Sequence, residues 1–171
     1  MTIHSEHPFA TPEEGRDPLR RLRGRLPSPV TVWTCGEGAG REGWTLSSVL
    51  LADGDPGQVL GLLDADSDLA EELLPGTPLV VNVLAAGQGP VADAFARLAP
   101  SPGGPFRTGS WQQSEHGPRL VGAQGWVSAR VLAEEPLQAG WFRLVRAAVD
   151  AVEVDPTVGG LVHHRGRYSA S

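Results

Sequence analysis

Short β-branched runs bounded by glycine or proline recur along most of this chain and leave no room for a long helix. "SPVTVWTC" (28–35) alternates in the period of a strand. "GWTLSSVL" (43–50), "GQVLGLL" (57–63) and "PLVVNVLA" (78–85) predict three more strands. "RLVGAQGWVSARVLAEE" (119–135) and "WFRLVRAAVDAVEVD" (141–155) read as long strands, and "GLVHHRGRY" (160–168) as a final one. Between them, helices are predicted over 17–24, within "DADSDLAEELLPG" (64–76) and within "GPVADAFARLA" (89–99). The second carries its acidic residues in the first turn, where the helix dipole favours them, and stops at Pro75 and Gly76. Residues 99–118 are expected as a Pro/Gly-rich loop. Six or seven strands with short connections and two or three small helices define a mainly β fold, a barrel with helical decorations. Residues 1–16 are expected to be a flexible tail, 17–168 a single domain and 169–171 a C-terminal tail.

A chain of 171 residues is long enough to bury one core. Its formal charge of −6 offers no general attraction to nucleic acid or anionic membranes, so neither is expected as a partner. No run approaches the roughly 20 apolar residues of a membrane helix. A single cysteine, Cys35, forms no internal disulfide, and the N-terminus has no basic stretch followed by an apolar run. Both features point to a cytoplasmic protein.

Three motifs imitate sites. Gly38, Gly40 and Gly43 match G-x-G-x-x-G, but a strand follows where a dinucleotide fold needs a helix. Asp64, Asp66 and Asp68 open like a calcium loop, yet Leu69 stands at the position of its glycine and Pro75 at that of its glutamate. His163 and His164 are adjacent on a strand and face opposite sides, so they do not chelate one metal. No metal is expected.

"GWTLSSVL" is harder to place. Thr45, Ser47 and Ser48 put three hydroxyls in four positions of an otherwise apolar strand. They suit either the solvent face of an edge strand or the wall of a pocket for a ligand rich in donors and acceptors.

Taken together and in order, "LPSPVTVWTC", "GREGWTLSSVL", "PLVVNVLAAGQGPVADAFA", "GPRLVGAQGWVSARV" and "GLVHHRGRY" resemble the flavin reductase-like, FMN-binding split-barrel proteins. The resemblance runs from about Asp17 to Tyr168. It implies a six-stranded split β-barrel, a homodimer, and one FMN (or FAD) per subunit. It also implies electron transfer from NADH or NADPH to flavin, in the service of a separate monooxygenase. On the residues that match, Trp44, Thr45, Leu46, Ser47 and Ser48 would line the flavin. Ser67 would hold its phosphate end, and Gln88 would reach it from a turn, while Asn82 is open to either a cofactor or a backbone role. Trp141, Phe142, His164 and Tyr168 would face the nicotinamide or substrate side.

Two departures stand out. The double proline usual in such proteins is reduced to Pro56. Their Gly-Asp-His is here Gly140-Trp141-Phe142, so Phe142 stands at the histidine position and the catalytic group is unknown. A split barrel that binds flavin or another small ligand without turning over NAD(P)H is therefore the alternative.

Overall fold

The computed structural model describes residues 17–133 and 137–171; the tail expected over 1–16 lies outside them. In chain order the elements are α1 (Pro18–Arg25), β1 (Ser28–Pro29), β2 (Thr31–Cys35), β3 (Glu42–Leu46), β4 (Val49–Ala52) and β5 (Gln58–Asp64). There follow α2 (Asp68–Glu72), β6 (Pro78–Val83), α3 (Gly89–Phe95), β7 (Trp111–Ser114) and β8 (Gly117–Leu120). The chain ends with β9 (Gly125–Val131), β10 (Leu137–Ala139), β11 (Phe142–Val154), β12 (Leu161–His164) and β13 (Arg167–Ala170).

The main sheet runs β3-β2-β6-β9-β11-β5-β4, antiparallel throughout, with β10 added to β11. Its two outermost strands are consecutive halves of one stretch. β3 pairs with β2, β4 pairs with β5, and the switch falls at Ser47–Ser48. Counted as one interrupted strand, β3–β4 makes the barrel six-stranded, as expected. The single strand expected over 43–50 is corrected by the same fact: its halves bond to different neighbours, so the ladder breaks between them. Thr31 Oγ1 donates to the Leu46 carbonyl at 2.7 Å, tying down the end of β3 beside the break.

Alternation on β2 divides the core in two. Trp33 and Cys35 point into the barrel with Leu46, Leu63, Leu79 and Val145, and α2 closes that core with Leu69 and Leu73. Val30, Val32 and Thr34 point outward. The outer layer on them comprises Val91, Ala92 and Phe95 of α3, with Leu120, Phe106 and Trp111. Each large apolar side chain so buried contributes about 1.5–3 kcal/mol. Two glycines are set by this packing. A Cβ on Gly61 would lie 2.7 Å from the Trp33 ring, and one on Gly43 would lie 2.6 Å from that of Phe95.

Five expectations change in detail. The strand over 28–35 divides into β1, paired with β12, and β2, and the long strand over 119–135 divides into the end of β8 and β9, which bond to different neighbours. The 99–118 segment contains β7, which pairs with β8. The closing strand is a hairpin, β12–β13, because Arg165 and Gly166 turn with positive φ (51° and 73°). Residues 169–171 are no tail: Ser169 and Ala170 of β13 pair with Val162 and Leu161 of β12, and Ser171 Oγ accepts from the Gly160 amide at 3.0 Å.

Asn82, fully buried on β6, pins the two layers together. Its Nδ2 donates to the Val32 carbonyl at 3.0 Å and to Thr34 Oγ1 at 3.1 Å, while its Oδ1 accepts from the Leu120 amide at 2.7 Å. Its side chain is thus committed to the backbone of the barrel. Asn82→Ala strands the Leu120 amide in a dry interior, for an expected loss of about 1–3 kcal/mol. Urea unfolding at constant m-value measures this; a change below about 0.5 kcal/mol contradicts the assignment.

Candidate functional site

The break at Ser47–Ser48 opens one end of the barrel. Ser48 O accepts from the Leu62 amide at 3.1 Å, and two residues further along β5 Asp64 stands opposite Phe142 of β11. Ser48, Asp64 and Phe142 therefore share one rim, and the turn from Asp64 into α2 runs along it. α1 completes the rim: the Arg23 guanidinium lies 5.7 Å from the centre of the Phe142 ring. Neither the exposed Ser47 hydroxyl nor the half-buried Ser48 hydroxyl has a hydrogen-bond partner among the described residues.

Other expected site residues are engaged elsewhere. Thr45 Oγ1 donates to the Ala92 carbonyl of α3 at 2.7 Å, on the outer face of the barrel. Leu46 is buried in the core, and half-buried Trp44 packs against it with the Arg97 guanidinium 5.7 Å from its ring. Ser67, 2% exposed, is the N-cap of α2: its hydroxyl accepts from the Ala70 amide and donates to the Asp64 carbonyl at 2.6 Å. Gln88 Oε1 accepts from the Ala85 amide at 2.9 Å and its Nε2 donates to the Val121 carbonyl at 3.1 Å, fixing the turn into α3.

Among the aromatic and histidine candidates, Trp141 sits at the tip of the β10–β11 turn, 84% exposed, while Phe142 is half-buried. His164 Nε2 lies 3.1 Å from the Arg25 carbonyl at the end of α1, which brings it to the flank of the rim. Tyr168 is farther off, on α3: its hydroxyl donates to Asp93 Oδ1 at 2.7 Å, and its ring lies against Gly89. Burial and the Asp93 carboxylate push the Tyr168 hydroxyl far above the usual tyrosine range. Burial depresses the neighbouring His163, against the opposing pull of Asp93.

The rim is acidic on the α2 side, with Asp64 and Asp66, whereas Asp68, at the start of the helix, pairs with Arg97 at 3.4 Å toward the Glu42 end of β3. Arg143 lies under α2 and donates to the carbonyls of Ala70 and Leu73, so its charge serves the C-terminal end of that helix. Cys35 is no nucleophile. Burial, then Glu72 and Glu42, push its thiol up to about 12, and a protonated thiol does not attack. The arginine at the rim was not legible in the sequence, because every basic residue is arginine and nothing in the spacing distinguishes Arg23.

A barrel closed by one interrupted strand, with a helix plugging the core and unclaimed hydroxyls at the break, is a split barrel. The model of the flavin reductase-like domain matches residues 23–171, and the chain belongs to that family. It is 33% identical over 165 residues to the NADH-dependent FMN reductase AsuE2 of Streptomyces nodosus subsp. asukaensis, spanning 92% of this chain and 85% of that protein. It is 29% identical to the NADH-type FMN reductase RutF of Ancylobacter novellus, spanning 93% of this chain and 87% of that one. Among solved structures it matches the NADH:FAD oxidoreductase SgcE6 of Streptomyces globisporus, in complex with NAD and FAD fragments. That match has a TM-score of 0.79 and 27% identity and covers 94% of each chain. It also matches BorF, the flavin reductase component of a bacterial two-component tryptophan halogenase, with a TM-score of 0.77 and 26% identity over 89% of this chain and 95% of that one. No helix among the described residues is long and apolar enough to cross a membrane.

Proposed function

We propose that this chain is an NAD(P)H:flavin oxidoreductase that holds FMN at the strand break and supplies reduced flavin to a separate monooxygenase. The observation that carries the reading is the pair of unclaimed hydroxyls, Ser47 and Ser48, at the open end of a barrel whose family relatives include FMN reductases. When bound, FMN supplies the two-electron chemistry that no side chain of this rim offers. The chain's part is to bind and orient. Two short hydroxyls donate to a ribityl phosphate or ring edge without bulk. Phe142 gives a flat apolar wall, and Arg23 above it brings positive charge to a rim that also carries Asp64 and Asp66. Thr45, Ser67 and Gln88 act one step back, holding α3, the 64–67 turn and the α3 entrance in place. FAD is the larger alternative, and a cytoplasmic setting agrees with a reduced Cys35.

Titration of the protein with FMN tests the site. Replacing Ser47 and Ser48 together by Ala removes two donors, each worth about 1.5–3 kcal/mol if it bonds a charged phosphate. At least a tenfold loss of FMN affinity is expected; unchanged affinity removes the assignment.

A phenylalanine accepts no hydrogen bond and donates none, so the nicotinamide side of the rim lacks the imidazole usual at Phe142. Slow NADH or NADPH oxidation is therefore expected, and Phe142→His should raise the rate while leaving FMN affinity within a factor of about two. Steady-state rates with saturating FMN decide. A brisk wild type, or a variant no faster, means that Phe142 does not limit the reaction and only packs the rim.

We further propose a homodimer. Leu50 (70% exposed) and Leu51 (67%) on β4 flank the break, and an apolar strand left bare beside a binding site is normally covered. Light scattering should then give about 36 kDa, twice the 18.0 kDa chain. A monomer at micromolar concentration excludes the dimer.

A further inference from the structure

At the opposite end of β3 from the serine pair lies a second cleft, of about 380 Å³, within the roughly 300–1,000 Å³ range of small-ligand pockets. Arg41, Glu42, Arg97, Gly103, Gly104 and Phe106 form its walls. Nothing in the flavin reading uses it.

Two guanidiniums face this cleft, and both are held before any ligand arrives. Arg41 Nε donates to the Gly38 carbonyl at 3.1 Å, and the Arg41 guanidinium lies 4.5 Å from the centre of the Phe106 ring. Phe106 is itself fixed by Phe95 and Trp111, with ring centres 4.9 and 5.1 Å away. The terminal nitrogens of Arg41 have no acceptor among the described residues. Arg97 is steadied over Trp44 and reaches only the exposed Asp68. Its backbone φ of +58° is that of the residue closing α3, where the Leu98 amide donates back to the Asp93 carbonyl at 2.9 Å. Between the arginines, the half-buried Glu42 carboxylate has no hydrogen-bond donor among the described residues. Burial and the nearby Asp68 raise its pKa, and Arg97 opposes them.

Two fixed, partly unclaimed cations beside one unclaimed acceptor suit a ligand that carries an anion and vicinal hydroxyls together. We propose that this cleft binds the phosphoribosyl end of a nucleotide, with the phosphate between Arg41 and Arg97 and the ribose hydroxyls donating to Glu42. Guanidinium forks match phosphate oxygens, and rigid ones lose little entropy on binding. Five residues of strand, about 16 Å, separate Glu42 from Ser47. Given the flavin reading, a dinucleotide anchored here by its far phosphate reaches the strand break. The nicotinamide donor and the ADP half of FAD share this chemistry.

Calorimetric titration of the full chain with ADP tests the cleft, with FMN titrated separately into the same proteins. Arg41→Gln combined with Arg97→Gln should weaken ADP at least tenfold and leave FMN affinity unchanged. Glu42→Gln should weaken ADP severalfold yet leave inorganic pyrophosphate bound as tightly or more so, because a repelling carboxylate is gone; a merely structural glutamate would weaken both. Competition names the source. Displacement of ADP by NAD⁺ or NADP⁺ but not FAD assigns the donor, and the reverse assigns the flavin dinucleotide. No binding of ADP at millimolar concentration overturns the proposal. So does unchanged affinity in the double variant, or parallel loss of FMN from it. Retained ADP binding in a protein that never binds FMN overturns the flavin reading and leaves the cleft standing.

Discussion

A closed β-barrel requires every strand to have two hydrogen-bonded neighbours, and here a single stretch, 42–52, supplies both ends of the ring. Its first half is bonded to β2 and its second to β5. The backbone cannot serve both neighbours with one regular ladder, so it breaks, and the break falls at two small polar residues, Ser47 and Ser48. Larger apolar residues at Ser47 and Ser48 would fill the gap that the change of partner creates. The same discontinuity leaves β3 with one unpaired edge, which α2 and α3 cover from either side. The serine rim and the Arg41–Arg97 cleft lie at the two ends of that strand. Both are consequences of how the ring is closed.

β2 makes the arrangement rigid. All five of its residues are buried, because the barrel core covers one face and α3 with Leu120 covers the other. A strand so enclosed has no water to satisfy stray polar groups, and its two threonines must find partners inside. Thr31 bonds the end of β3, and Thr34 donates to the Pro118 carbonyl at 2.6 Å while accepting from Asn82. One buried amide thus locks β2, β6 and β8 into a single register. The break in β3–β4 has a fixed frame to open from.

Most of this fold was legible because strand alternation and glycine punctuation are local signals. "PLVVNV" and "QVLGLL" became strands within a residue or two of their expected limits, while "SPVTVWTC" divided into β1, paired with β12, and β2. What the sequence concealed is partner choice. Nothing inside "GWTLSSVL" announces that its halves bond to different strands, and only the closed ring imposes the break. The hairpin at Arg165–Gly166 was hidden by composition, since "HHRGRY" reads as one polar strand until the turn's positive φ values are known. The site was legible in part for a related reason. Sequence showed that hydroxyls crowd near residue 45 but could not show which are already occupied. Thr45 faces α3 and Ser67 caps α2, whereas the serines at the break stay unclaimed.

The charge around the break follows from this geometry as well. The turn into α2 brings Asp64 and Asp66 to the rim because acidic residues favour the approach to a helix start, and that local stabilisation works against any anion nearby. α1 is the counterweight. None of its residues is buried, so hydrophobic burial does not hold it down. Its attachments are the Gly24 carbonyl, which accepts from the Arg165 amide at 2.8 Å, the Arg25 carbonyl beside His164, and Arg23 over Phe142. A helix attached through its backbone carbonyls and a cation–π contact keeps the Arg23 charge at the rim. Of four arginines in its eight residues, Arg23 is held over the strand end that stands opposite Asp64. Removing α1 would cost the barrel little packing, but it would leave the break with the Asp64 and Asp66 carboxylates and no cation held above Phe142.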